Sequence, residues 1–277
     1  MNKTATFGGA AAIGALVSLF SATGVSAAEN ISADVGVSYN THFISYGLDV
    51  WGGGNDFYGD QSTTFVYGDL AIKATDALTF TLSLWSDIND NAQGSAFGQS
   101  AIGGHIQEID FGPGFTYTFG KVTAGAVYNA WSYGGDVEQS VDLSLGFDDT
   151  GLLIPGVAFG PKVVWHDRFS GNGSQQIGSA VVLSVGPTFP LGEGFTIAIP
   201  AGVAFFTTDD FQGGTKSGYG FSYIGGSLGY GLAFVPEMYG KWSVNFDLIE
   251  YFTRKDAIPG NPEETFLTGS VGLKVAY

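Results

Sequence analysis

The chain has 277 residues and carries 10 Lys and Arg against 26 Asp and Glu, which gives a formal net charge of −16. Phosphate repels such a chain, so nucleic acid is not expected as a partner. The absence of cysteine excludes thiol catalysis, disulfides and thiolate metal sites. Only 13% of the residues are charged and 15% are aromatic, which argues against disorder and is unusual for a soluble domain.

The amino-terminal segment has the pattern of a secretory signal. Asn2-Lys3 precedes an apolar run from about Ala5 to Phe20, and Val25-Ser26-Ala27-Ala28 follows as a small-residue cleavage site. We predict a cleaved signal peptide at 1–27 and a mature domain at 28–277. An uncleaved anchor is the alternative, but the run is short for a spanning helix and contains three glycines.

The mature chain alternates with period two, which is typical of strands with one apolar and one polar face. In the last segment, Leu267, Gly269, Val271, Leu273 and Val275 interleave with Thr268, Ser270, Gly272, Lys274 and Ala276. Runs of this kind predict twelve strands, near residues 31–43, 63–73, 78–87, 106–119, 122–131, 137–147, 157–166, 179–191, 195–206, 219–235, 241–252 and 265–277.

The predicted connections alternate between short and long. Outer-membrane barrels have short periplasmic turns and long external loops, so the sequence predicts an all-β, antiparallel, up-and-down transmembrane barrel with both termini in the periplasm. A closed barrel also leaves no strand edge unpaired in lipid. The alternative is a soluble β-sandwich or barrel whose apolar faces meet each other.

Aromatic residues near the strand ends predict two girdles at the membrane interfaces. The expected periplasmic girdle comprises Tyr117, Phe119, Phe147, Phe189, Phe195, Phe234, Trp242 and Tyr277. The expected outer girdle comprises Trp131, Trp165, Tyr219, Phe252 and Phe266. Four prolines should mark bulges or strand ends, because proline donates no hydrogen bond to the ladder: Pro113, Pro161, Pro187 and Pro200.

If the polar residues of each strand point into the barrel, the sequence predicts an acidic lumen. Eight acids would face four bases, Lys73, Lys162, Lys241 and Lys274, so an open pore should weakly prefer cations. Alternatively, these charges satisfy one another inside a plugged barrel. The candidate pore-lining set is Asp34, Asp69, Asp87, Glu108, Asp110, Glu138, Asp142, Asp247 and Lys162.

Signals for chemistry are weak. His166-Asp167-Arg168-Phe169-Ser170 has the residue types of a hydrolase triad, but alternation turns His166 away from lipid, so a loop-anchoring histidine is the preferred interpretation. Asp87-Ile88-Asn89-Asp90-Asn91 begins like a calcium loop, but Ala92 replaces the required glycine. His105, Glu108 and Asp110 are better explained by a loop end than by a metal. Gly214-Thr215-Lys216-Ser217 lacks the Gly-Lys pair of a phosphate loop. No enzyme activity, metal or cofactor is expected.

The segment from Ala33 to Gly47, followed by Leu84-Trp85-Ser86-Asp87, resembles the first hairpins of TorF-type putative outer-membrane porins. Members tend to carry an aromatic residue and then Phe-Arg-Gly at the end of the first strand, whereas here Phe43 is followed by Ile44-Ser45-Tyr46-Gly47. The resemblance covers about the first sixty mature residues. It implies a channel without an assigned substrate and transfers no site residues.

These observations predict a bacterial outer-membrane channel for passive diffusion of small hydrophilic solutes. The alternatives are a non-conducting barrel that presents its loops to a surface partner and an outer-membrane lipid hydrolase. Expected partners are outer-membrane lipid and lipopolysaccharide, and the barrel-assembly machinery through the last strand, which ends at Tyr277. The acids of the outer loops are interpreted as solvated charge, with divalent-cation bridging to lipopolysaccharide as the alternative.

Overall fold

The structure is a computed structural model that describes residues 30–59, 61–91, 102, 105–134, 136–171 and 177–277. The expected signal peptide at 1–27 lies outside the described residues. The strands are β1 (Ile31–Asn40), β2 (Ile44–Ser45), β3 (Leu48–Asp49), β4 (Thr63–Lys73), β5 (Leu78–Ile88), β6 (Ile106–Phe119), β7 (Val122–Tyr133), β8 (Asp136–Phe147), β9 (Lys162–Ser170), β10 (Gly178–Val185), β11 (Thr188–Gly192), β12 (Phe195–Ala198), β13 (Ala201–Phe206), β14 (Gly218–Gly231), β15 (Lys241–Thr253) and β16 (Thr265–Ala276).

All but two of these strands form one closed antiparallel wall. β1 pairs with β4 on one side and with β16 on the other, and pairing continues around the wall until β14 meets β15. β10 and β11 follow one path across the wall, and β12 and β13 follow the next. The wall therefore contains the twelve strands that the sequence predicts, and closure pairs its edges. β2 and β3 form a separate small hairpin.

The outer face of the wall is apolar. Val271 and Leu273 on β16 are 41% and 37% exposed, and Val35 and Val37 on the neighbouring β1 are 49% and 40% exposed. An isolated soluble fold would bury such a continuous apolar surface, whereas lipid solvates it. The predicted barrel is thus confirmed, and the alternative of a soluble sandwich or barrel with these faces packed together is wrong. Among the described residues, no helix has the length and apolar character needed to cross a membrane.

The four prolines lie where the ladder is interrupted. Pro187 and Pro200 separate β10 from β11 and β12 from β13. Pro113 lies where the pairing of β6 with β7 skips two residues. Pro161 precedes β9, and Gly160 before it has a φ of +58°. The predicted strand 157–166 was therefore placed too early, because β9 begins at Lys162 and continues to Ser170.

The two rims of the barrel differ. The short-turn end has tight connections at 74–77, 120–121 and 193–194, with longer ones at 148–161 and 232–240. The opposite rim, the long-loop end, carries the connections at 41–62, 89–105, 171–177, 207–217 and 254–264, and the turn after Tyr133. The main apolar cluster lies inside the barrel, in the half next to the long-loop end.

The girdle predictions are confirmed in part. Tyr117, Phe119, Phe147, Phe195, Phe234 and Tyr277 near the short-turn end are between 39% and 78% exposed, and Phe189 and Trp242 are half-buried. Trp165 and Phe252 near the other end are 39% and 40% exposed. Trp131 and Phe266 are placed wrongly by the sequence: they are 4% and 1% exposed and face the lumen, because they occupy the inward phase of β7 and β16.

Candidate functional site in the barrel lumen

The chain leaves the wall after Asn40 and enters the lumen. Residues 41–51, named here the plug, are all buried except the half-buried Ser45. The predicted first strand, 31–43, therefore ends three residues too late. Phe43, Tyr46, Leu48 and Trp51 are each 3% exposed or less. An apolar segment in a long connection would be unfavourable in water, and packing inside the barrel removes that cost.

Inward-facing aromatic residues of the wall surround the plug. The ring of Phe43 lies 5.4 Å from Phe65 and 5.2 Å from Trp85, measured between centroids. On the opposite side, Tyr46 lies 6.4 Å from Trp131 and 5.8 Å from Phe211 of the 207–217 connection. Contacts at 4.5–7 Å in tilted or edge geometry are favourable for aromatic pairs. Together these residues fill the half of the lumen next to the long-loop end.

Hydrogen bonds fix the base of the plug. The backbone N–H of Asp49 donates to Asn261 Oδ1 at 2.7 Å, and Asn261 Nδ2 donates to the carbonyl of Gly47 at 2.8 Å. Trp51 Nε1 donates to Asp87 Oδ2 at 2.9 Å. Asp87 is fully buried, and it also accepts from Thr63 and from Asn89. The connection 254–264 and strand β5 thus both hold the plug.

A buried ionic group lies beside the tip of the plug. Arg168 Nε donates to Glu138 Oε1 at 2.5 Å, and Tyr133 donates to Glu138 Oε2 at 2.7 Å. Arg168 also donates to the backbone carbonyl of Phe211 at 2.7 Å and lies 4.3 Å above that ring. Burial of a charge is tolerated here because each charged group has several partners.

The sequence predictions missed Arg168 as a lumen residue. They placed Asp167 to Gly178 in an outer loop, whereas β9 continues to Ser170. The sequence does contain a signal for this: Trp165, Asp167 and Phe169 alternate with His166 and Arg168, so a strand that continues past His166 turns Arg168 inward. Inclusion of Arg168 changes the count of inward-facing charges on the wall to eight acids against five bases, so the excess of acids remains.

The half of the lumen next to the short-turn end, named here the inner half, is filled less completely than the half that the plug occupies. Small polar residues of the inward phase are half-buried, although they face the interior: Ser32, Ser38, Thr79, Thr81, Thr116, Thr123, Ser144, Ser184 and Ser227. If the inner half were packed as tightly as the half that the plug occupies, these serines and threonines would be fully buried. Water can therefore reach this part of the lumen.

All nine predicted pore-lining residues face the interior, at two levels. Asp87, Glu108, Asp110 and Glu138 lie among the covered residues at the plug level. Asp34, Asp69, Asp142, Asp247 and Lys162 line the inner half. Asp34 lies 3.5 Å from Lys274, Asp69 accepts from Ser83, and Asp247 accepts from Ser270. Their role in ion selectivity stays a prediction.

His166 is fully buried beneath the plug and pairs with Asp142 at 2.6 Å, from Nδ1 to Oδ1. It faces the lumen and Trp165 faces outward, as alternation predicted. Within the described ranges, no group of three or more His, Asp or Glu side chains is placed to hold a metal ion. Asp87 to Asn91 of the candidate calcium loop are described, while Ala92 and the residues after it up to 101 lie outside the described residues.

No family model matches this sequence, and no curated protein matches it. Among solved structures, the COG4313 outer membrane channel from Pseudomonas putida F1 is similar over 90% of this chain and 96% of its own, with a TM-score of 0.53 and 11% identity. The NanC porin structure and LpxR from Salmonella typhimurium each match over 88% of this chain and 98% and 99% of their own. Their TM-scores are 0.49 and 0.47, and their identities are 9% and 10%.

At these identities the likeness concerns the fold alone. It supports the resemblance to outer-membrane β-barrels as a class, and it does not single out the TorF-type family. The closed twelve-strand wall and its apolar outer face agree with the likeness to the channel from Pseudomonas putida F1: the chain has the fold of an outer-membrane β-barrel.

Proposed function

We propose that this protein is an outer-membrane channel for passive diffusion of small hydrophilic solutes, closed by the plug in the conformation described. The observation that carries the proposal is the polar inner half of the lumen, whose half-buried serines and threonines face inward. A barrel that served only as an anchor has no need of a water-accessible interior. Selection by width and charge is then the whole mechanism.

In the proposed orientation, the long-loop end faces the cell exterior and both termini face the periplasm, as in outer-membrane barrels generally. The acids of the external connections are proposed to bind lipopolysaccharide through divalent cations. The last strand, β16, is proposed to be what the barrel-assembly machinery recognises. Membership in the TorF-type family is part of the same proposal.

The inner half supports a weak preference for cations. The carboxylate of Asp69 accepts a hydrogen bond from Ser83 and that of Asp247 accepts one from Ser270, whereas Asp34 pairs with Lys274. Charges along a water path surrounded by a low-dielectric wall raise the local concentration of counter-ions. Four acids and four lysines lie in this half, and Lys73 pairs with Asp76, so the proposed preference for cations depends on where Asp69 and Asp247 lie along the water path.

The plug favours a second candidate function, a non-conducting barrel that presents its loops to a partner. Its apolar side chains fill the half of the lumen next to the long-loop end, so conduction requires the plug to move. We propose no catalytic function, because His166 is covered by Tyr46 and Trp131 and lies far from the lipid-facing surface on the inward side of β9.

Planar-bilayer recording of refolded protein distinguishes the two candidates. Asn40 of β1 and Thr63 of β4 are directly opposite each other, so a two-residue Asn-Gly hairpin turn can replace residues 41–62. We expect rare openings for the native chain and sustained, cation-preferring steps for the shortened chain. If neither protein conducts, and circular dichroism shows that both barrels are folded, the channel is contradicted and the non-conducting barrel is supported.

A further inference from the structure

We infer that Tyr46 is a latch: its contact with the Asp142 and His166 pair keeps the plug in the lumen, and loss of that contact releases the plug. The inference rests on the proposed function for its meaning in transport, but its structural basis is independent of it. Tyr46 and Gly47 form the tip of the β2–β3 hairpin, which is the deepest part of the plug.

The tip reaches across the barrel. The plug leaves the wall between β1 and β4, whereas Tyr46 contacts β8 and β9, which are five and six strands further around the twelve-strand wall. The ring of Tyr46 lies 4.2 Å from that of His166 on β9, between centroids, and its hydroxyl is hydrogen bonded to Asp142 on β8. These contacts therefore join the plug to the opposite side of the wall.

The backbone at the tip is held in an unfavourable conformation. Tyr46 has a φ of +47° and Gly47 a φ of +80°, as in a tight hairpin turn with two left-handed residues. Glycine adopts this region freely, but an aromatic residue there costs about 1–2 kcal/mol. Such a conformation persists only where the surroundings fix it. The contacts of Tyr46 supply that constraint. Without them, the tip can lower its free energy by leaving the left-handed conformation.

The other hydrogen bonds of the plug go to connections or to neighbouring strands. Gln212 Nε2 of the 207–217 connection donates to the backbone carbonyls of Ser45 and Tyr46 at 2.8 and 3.4 Å. Asn261 joins the plug to the 254–264 connection, and both segments can move together without breaking those bonds. Trp51 joins the plug to Asp87 on β5, which lies beside the strand where the plug returns to the wall. The side chain of Tyr46 is thus what joins the tip directly to strands β8 and β9 of the wall, while Asn261 and Asp87 hold the base.

Asp142 connects the latch to the inner half of the lumen. Its side chain is 16% exposed, whereas that of His166 is fully buried. Asp142 accepts from His166 Nδ1 at 2.6 Å and also bonds to Tyr46. Burial, followed by the negative charge of Asp142, raises the pKa of the Tyr46 hydroxyl well above its usual value. The hydroxyl therefore keeps its proton and donates to Asp142 at every physiological pH.

A single-cysteine reporter tests the latch without any need for ion flow. The chain has no native cysteine, and Leu48 in the plug is 1% exposed, so a thiol introduced by Leu48→Cys should react slowly with a membrane-impermeant maleimide. We expect Tyr46→Ala to raise that rate about tenfold, which corresponds to about 1.4 kcal/mol lost by the packed state. Tyr46→Phe, which keeps the ring and loses the hydroxyl, should give a smaller increase.

Two controls accompany the reporter. Tyr58→Ala, at a side chain that is 91% exposed in the same connection, should leave the labelling of Leu48→Cys unchanged. Tyr58→Cys alone should react fast in every background. If Tyr46→Ala folds and Leu48→Cys stays protected, the latch is wrong. If Tyr46→Ala does not fold, the test uses Tyr46→Phe: equal labelling rates of Leu48→Cys with and without Tyr46→Phe overturn the latch.

Conductance separates the latch from the channel. Fast labelling of Leu48→Cys in Tyr46→Ala, together with silence of that variant and of the shortened chain in the bilayer, supports the latch and overturns the proposed function. Slow labelling of Leu48→Cys in Tyr46→Ala, together with conduction by the separate chain that lacks residues 41–62, supports the channel and overturns the latch.

Discussion

Arg168 and Glu138 form an ion pair inside the barrel, with 2.5 Å between Nε and Oε1 and only 1% of each side chain exposed. The pair joins β8 to β9 and, through the bond from Arg168 to the carbonyl of Phe211, joins both to the 207–217 connection. A pair this buried stabilises the fold only as long as both charges are present, because either charge alone is poorly solvated.

Arg168→Met should therefore lower the free energy of unfolding by about 3–5 kcal/mol, since it leaves the Glu138 carboxylate buried without its cation. The double variant Arg168→Met with Glu138→Gln should recover much of that loss. Urea titration of the refolded barrel measures both. A matched control is Lys216→Met, whose ion pair with Asp256 is on the surface at 64% and 35% side-chain exposure and should matter little. Equal effects of Arg168→Met and Lys216→Met would contradict the buried-pair argument.

The wall could be predicted from the sequence, since period-two alternation is a local property that each strand repeats. The plug could not, because alternation does not show where a connection goes. The apolar run from Phe43 to Trp51 was nevertheless a signal: a connection that carries Phe43, Tyr46, Leu48 and Trp51 must find an apolar environment. Trp131 and Phe266 were misplaced for the same reason, because aromatic residues near strand ends were assigned to a lipid interface without a second apolar environment to consider.

Tyr67 on β4 lies across Gly36 on β1. An added Cβ at Gly36 would lie 2.3 Å from Cζ of Tyr67, so Gly36→Ala must displace the ring. We expect a loss of about 1–3 kcal/mol in the free energy of unfolding. Gly226→Ala is the control, because a Cβ at Gly226 on β14 meets nothing within 4 Å. Tyr67→Ala should make the effect of Gly36→Ala small, and additive effects of the two changes would show that the ring is not what Gly36 accommodates.

Asp49 makes the plug sensitive to pH. Burial raises the pKa of its carboxyl, and the charge of His42 opposes that shift. A carboxyl with a raised pKa binds its proton more readily in the packed state, so the packed state gains stability as the pH falls toward and through that pKa. Labelling of Leu48→Cys should therefore slow at acidic pH relative to the same reporter with Asp49→Asn. The ratio between the two proteins at each pH cancels the titration of the thiol itself, and a ratio that is constant from pH 7 to pH 5 would show that Asp49 has no such effect.

Asp69 and Asp247 should set the charge preference of the inner half. Both line the part of the lumen that water reaches, and their hydrogen bonds go to Ser83 and Ser270. A unit charge about 4 Å from a permeating ion contributes roughly 1 kcal/mol in a water-like dielectric. Asp69→Asn with Asp247→Asn should thus lower the ratio of Na⁺ to Cl⁻ permeability by a factor of about two to five. The measurement is the reversal potential across a salt gradient, made on the chain whose residues 41–62 are replaced by Asn-Gly.

The matched control for this measurement removes two acids from the long-loop end, with Asp210→Asn and Glu263→Gln. Both residues are exposed in the described connections, where bulk salt screens them beyond about 8–10 Å. Their removal should change the reversal potential less than the removal of Asp69 and Asp247 does. A larger change from the loop acids would place the selectivity of the pore at its outer rim rather than in the inner half.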